Sequence, residues 1–105
     1  GVTVIMKTFK TTTADDLRKM VDYVKDKMTN TVVVLASGAD KAIFAAGVTK
    51  ELTSKVKAGN LVKEAAVITG GNGGGRPDFA QAGGKDATKI QEAMNAVKET
   101  LKNSL

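Results

Sequence analysis

Residues 70–75 read Gly-Gly-Asn-Gly-Gly-Gly, and Arg76-Pro77-Asp78 follow at once. Ordering so many glycines costs backbone entropy, so the fold must gain something from them. One gain is chemical: backbone N–H groups with little side-chain cover can cradle a phosphate while Arg76 supplies charge. The other is a plain surface loop, and the pattern alone leaves both open. Known phosphate motifs fit poorly. Gly70 and Gly75 have Walker A spacing, but Arg76-Pro77 stand where the Lys and the Ser/Thr belong, which removes the phosphate lysine and the magnesium hydroxyl. A dinucleotide fingerprint fails as well. Arg76 takes the third glycine's place, and the segment before the loop reads as a helix rather than a strand. Nucleotide hydrolysis is not expected.

A second glycine break, Gly83-Gly84-Lys85-Asp86, precedes a long helical pattern. A helix start attracts anions and Lys85 adds charge, although a turn with an Asp cap explains the same residues. Lys50, Lys55, Lys57 and Lys63 lie in the middle third, where they can follow a phosphate backbone or serve as solvated surface residues. The 105 residues include no His and no Cys. That excludes imidazole acid–base catalysis, Ser-His triads, thiol nucleophiles, disulfides and zinc sites built from Cys and His. Asp15-Asp16 sits where helix capping explains it, and no three acids cluster. Among the few aromatics only Phe44 and Phe79 lie near glycine or basic segments, as stacking surfaces for bases or as core.

The length suits one domain, and 42% hydrophobic residues suffice for a core of Val, Ile, Leu, Met and Ala. The net charge is +5, and only Arg18 and Arg76 among the 16 cations are arginine. This balance suits a polyanion partner. No apolar run approaches the ~20 residues of a membrane span, and no signal peptide is visible. The chain opens on Gly-Val-Thr without Met and reads as a fragment cut from a longer protein. A cytoplasmic location is expected.

The elements that must position these residues follow from periodicity. Val2–Phe9 reads as a strand. Thr13-Ala14-Asp15-Asp16 opens a helix whose apolar face is Leu17, Met20, Val21, Val24 and Met28, with Asn30 as its C-cap. Thr31–Ser37 is continuously apolar at its centre, as in strands buried on both faces. Gly38-Ala39-Asp40 turns the chain into a strand over Lys41–Val48, so the two pair as an antiparallel hairpin. The preceding strand–helix–strand passage implies a parallel pair, and hence a mixed sheet. Thr49–Lys57 is a short helical turn. Asn60 caps a helix apolar around most of its girth, and therefore buried. Phe79–Ala82 is a short edge strand, and Asp86 caps a last helix with Ile90, Ala93, Met94, Val97, Leu101 and Leu105 on one face. Met20, Met28 and Met94 belong to the core. The expected fold is a single α/β domain spanning residues 1–105, with a small mixed sheet of about three or four strands packed against helices.

At Gly73-Gly74-Gly75-Arg76-Pro77-Asp78-Phe79-Ala80-Gln81-Ala82-Gly83-Gly84 the sequence closely resembles the C-terminal domain of alanyl-tRNA synthetases, within the wider group of modules associated with DHH phosphoesterases. Val33-Val34-Leu35-Ala36-Ser37, Val48-Thr49-Lys50 and the stretch from Lys57 to Glu64 are similar too, so the resemblance spans nearly the whole chain. It implies a non-catalytic module that grips the outer corner, or elbow, of tRNA and helps aminoacylation and editing act on one alanine tRNA. Other domains of the parent are implied partners, and ATP, magnesium and zinc are implied for the parent; no cofactor is implied for this fragment. No membrane partner is implied, and oligomerisation stays open. Phosphate contacts would fall to Arg76 and Lys85 from the motif and to Lys50 and Lys63 from the matching flanks. Gly73, Gly74 and Gly75 would give close access to backbone. Asp78 orients Arg76 or forms the turn, and Gln81 donates to RNA or belongs to a strand. The alternative is a domain of a DHH-type phosphoesterase that holds nucleic acid or a dinucleotide, against which Arg76-Pro77-Asp78 argues. A third is a structural module whose glycine loop packs on a partner.

Overall fold

In the computed structural model, which describes residues 2–38 and 41–105, helices and strands form where the apolar periodicity places most of them. Strand β1 is Thr3–Phe9 and helix α1 is Ala14–Lys27. Thr13 caps α1 by accepting the Asp16 N–H at 3.2 Å. Asp15 and Asp16 in its first turn and Lys25 and Lys27 in its last suit the helix dipole. Strands β2 (Thr31–Ser37) and β3 (Ala42–Val48) follow, then a single 3₁₀ turn at Lys50–Leu52 and helix α2 (Ala58–Ile68). Strands β4 (Asn72–Gly75) and β5 (Phe79–Gly84) lead through a 3₁₀ turn at Ala87–Lys89, capped by Asp86, into α3 (Ile90–Ser104).

The strands form one mixed sheet in the order β1-β2-β3-β5-β4. β1 and β2 are parallel with Thr3 opposite Thr31; the other neighbours are antiparallel. Alternation along the strands divides the core between two faces. Val32, Val34, Ala36, Phe44 and Ala46 face α2 and α3, while Val33, Leu35 and Ala45 face Leu17 and Val21 of α1. β2 is therefore buried on both faces along its whole length, as its apolar run predicts. No helix among the described residues is long and apolar enough to cross a membrane.

Several expectations are corrected. The sheet has five strands rather than three or four, because the glycine segment is itself strand β4 and not a loop. β5 is consequently an inner strand, not an edge. Asn60 does not cap α2; Lys57 holds the cap position and Asn60 lies in the first turn. Met28 ends α1, while Asn30 takes the left-handed conformation (φ 50°) in the turn into β2. Met20 is 37% exposed, and Met28 half-buried, so of the three methionines only Met94 is fully in the core. Val67 leaves α2 with an exposed position. The turn reading at Ala39-Asp40 lies outside the described residues.

Candidate nucleic-acid interface

Strand pairing brings several chain ends to one end of the sheet, where β1 also starts. β2 and β5 start there, β3 and β4 finish there, α1 ends there and α2 begins there. The Arg76-Pro77-Asp78-Phe79 turn sits among them, closed by the Arg76 N–H donating to the Phe79 carbonyl at 3.0 Å. Two neighbours pin it further. The Ala58 N–H, otherwise an orphan donor at the start of α2, donates to the Pro77 carbonyl at 2.8 Å, and the Val48 N–H donates to the Asp78 carbonyl at 3.0 Å. Arg76 is thus held on a braced backbone while its side chain is 76% exposed.

Asp78 organises the cations around this turn. Its Oδ2 accepts from Lys25 Nζ at 3.3 Å, and its Oδ1 lies 3.6 Å from Arg76 Nε, an ion pair beyond hydrogen-bonding distance. Partial desolvation pushes the Asp78 carboxyl up, but the hydrogen bond and charge of Lys25, with help from Arg76, outweigh it and hold the pKa below the ordinary value. A polar groove of about 370 Å³ beside this carboxylate is lined by Lys25, Lys27 and Lys50 and by the acids Asp26, Glu51 and Asp78, so its charges balance. Glu51 accepts the Asn30 N–H at 3.3 Å, and hydrogen bonds from its own backbone, Thr49 and Asn30 lower its pKa.

The three candidate glycines differ in what they face. A Cβ on Gly73 would collide with Ala82, and one on Gly75 would lie 2.7 Å from the Ala80 Cβ, so both are required by the pairing with β5. A Cβ on Gly74 would meet nothing within 4 Å. β4 is also braced from the helical side. A Cβ on Gly59 would sit 2.8 Å from the Gly75 carbonyl oxygen, so the first turn of α2 rests backbone to backbone on the strand. The exposed strand is consequently braced by backbone contacts, with Asn72 its one residue that carries a side chain.

The sequence-selected residues separate into groups. Gly73, Gly74, Gly75 and Arg76 form the edge strand and its turn, and Lys50 joins them through the groove at Asp78. Lys63 lies on the exposed face of α2, one turn beyond Gly59. Lys85 follows Gly84, at the other end of β5 from Arg76. Gln81 is occupied: its Nε2 donates to the Ala14 carbonyl at 2.9 Å and ties β5 to α1. Phe44 is buried, and Phe79 is half-buried with Arg18 placed 5.8 Å over its ring, so neither offers a free stacking face. Lys25 and Lys27 were not selected by sequence. The available signal was topological: a parallel crossover returns the end of α1 to the start of β2, beside the end of β3.

The DHHA1 domain family matches residues 1–103. The chain is 54% identical to the alanine–tRNA ligase of Fusobacterium nucleatum over 105 residues, and 54% identical to that of Alkaliphilus oremlandii over 107; in both cases all of this chain matches 12% of the relative. It is also similar to the crystal structure of the C-Ala domain from Aquifex aeolicus alanyl-tRNA synthetase. That likeness has a TM-score of 0.86 at 35% identity and covers 96% of this chain and 95% of the other.

Proposed function

From the premise that the chain belongs to the DHHA1 domain family, as a C-Ala domain of alanyl-tRNA synthetase, we propose that it is a tRNA-binding module gripping the outer corner of alanine tRNA. The observation that carries this reading is the pairing of a bare, braced backbone edge with a turn that holds Arg76 out to solvent. Arg76 stands exposed at the end of β4, and Lys27 and Lys50 line the adjoining groove, where Lys25 is already paired with Asp78. Guanidinium and ammonium groups neutralise phosphates, while Gly74 lets a ribose-phosphate backbone approach the strand without a side chain between. Contacts of this kind read shape rather than base sequence, which suits a folded RNA. The module holds the tRNA while other domains of the parent charge it and edit it. It has no imidazole or thiolate of its own for either reaction.

The test is a titration of labelled alanine tRNA and of a single-stranded oligonucleotide of equal length, repeated across salt concentrations. The expected result is preference for the tRNA and a log K against log salt slope on the order of −3, since each neutralised phosphate contributes about −0.7 to −0.9. Equal binding of both, or a flat salt response, contradicts it.

A further inference from the structure

The opposite edge of the sheet, β1, is open among the described residues. The Thr3 N–H donates to Asn30 O, and Phe9 O accepts from the Gly38 N–H. With the two-residue repeat of a parallel pair, Thr3, Ile5, Lys7 and Phe9 direct their backbone groups toward β2. The N–H and C=O groups of Val4, Met6 and Thr8 therefore point away from the sheet, and no described strand pairs with them.

Apolar grooves border this edge on both faces. On the α1 side, Ile5 and Phe9 with Met20 and Tyr23 line a groove of about 470 Å³, and Tyr23 is 65% exposed. On the α3 side, Val2 and Val4 with Leu101 and Leu105 line another of about 300 Å³. The two lie on opposite faces of one strand edge. Nucleic acid laid on one face reaches only one of them. An added β-strand reaches both, because its side chains alternate between faces while its backbone pairs with β1. The charge narrows the occupant further. Lys7 and Lys19 rim the first groove, Lys98 and Lys102 the second, and no lining residue of either is acidic. A second copy would set this lysine rim against itself.

We propose that the β1 edge docks an extended segment of a partner protein, apolar at its centre and acidic at its ends, as a sixth strand of the sheet. The site is independent of the tRNA reading.

The experiment uses the isotope-labelled chain and two capped heptapeptides, Asp-Glu-Val-Ile-Val-Glu-Asp and Lys-Lys-Val-Ile-Val-Lys-Lys, with amide exchange read residue by residue. The acidic peptide is expected to slow exchange at Val4, Met6 and Thr8 and to leave the inward-bonded Ile5 and Lys7 unchanged, while the basic peptide does neither. Thr8→Pro removes an outward donor at an exposed position, and Val4→Glu sets a negative charge against the acidic peptide; each is expected to abolish peptide protection without changing the melting temperature. Replacing Lys98 and Lys102 together by Glu should reverse the preference between the peptides. Equal protection by both peptides, or by neither, overturns the proposal. So does protection of the same amides by tRNA, or by self-association of the chain without peptide.

Discussion

β1 and β4 close the same sheet on opposite sides. β1 runs for seven residues, all with side chains, and borders an apolar groove on each face. β4 runs for four, of which Gly73, Gly74 and Gly75 have none. Unpaired edges invite association, and the two are made safe differently. β1 carries a lysine rim that repels its own copy, whereas β4 is too short and too bare to offer an apolar surface. An edge's partner is thus set by what flanks the backbone: apolar walls suit a strand, and nearby cations with no walls suit a phosphate chain.

The strongest way to break this contrast is to disturb the helix backbone that braces β4. Gly59→Val pushes α2 off the Gly75 carbonyl and should destabilise the domain by about 1–3 kcal/mol, the usual cost of overpacking, seen as a lower melting temperature. An unchanged melting curve would mean that the strand does not lean on the helix. Arg76→Ala should weaken tRNA binding by roughly 1–3 kcal/mol while melting stays the same, and Arg76→Lys should recover only part, because an ammonium cannot make a two-pronged phosphate contact. Unchanged affinity with a lowered melting temperature would make Arg76 a brace for the turn instead. Gly74→Val sharpens the comparison at a milder level. Its side chain enters open space, so stability should hold while tRNA affinity falls by less than for Arg76→Ala. Loss of stability there would contradict the open face.

The smallest effect belongs to Asp78. Its pKa is lower folded than in the ordinary carboxylate, so its stabilising contribution is present above the ordinary value of 3.8 and is lost as pH falls through the lower, folded pKa. The carboxylate is substantially exposed, and Asp78→Asn should cost under about 1 kcal/mol at neutral pH. The variant should also flatten the acid end of the melting temperature against pH profile. A profile identical to that of the parent chain would remove Asp78 from the account of this turn.

Much of the frame is legible in the sequence because side chains report their surroundings. The apolar run from Val32 to Ala36 announces a doubly covered strand, and the spacing of Ile90, Ala93, Met94, Val97 and Leu101 announces the buried face of α3. β4 is illegible for the complementary reason. Glycines carry no periodicity, and what makes them a strand is the pairing with β5 and the backbone of α2, both remote in sequence. The candidate site follows the same rule. Arg76 and the glycines stand out in one motif, but Lys25 and Lys27 join them only through topology. Lys85 looks like a neighbour of Arg76 in the chain, yet all of β5 lies between them.

That separation has a consequence for how tightly anything can be held. β5 spans six residues, or roughly 20 Å at about 3.3 Å per residue, and as an inner strand it is a stiff spacer. If Arg76 at one end and Lys85 at the other both meet phosphate, as the proposed function has it, they would be two weak anchors at a fixed distance. A mononucleotide or a single anion engages one of them and gains nothing from the other. A rigid polyanion long enough to meet both makes its second contact from a position already delivered by the first, so the two affinities multiply through effective concentration. The spacer would then act as a measure of length, favouring large folded ligands over fragments that carry the same charges.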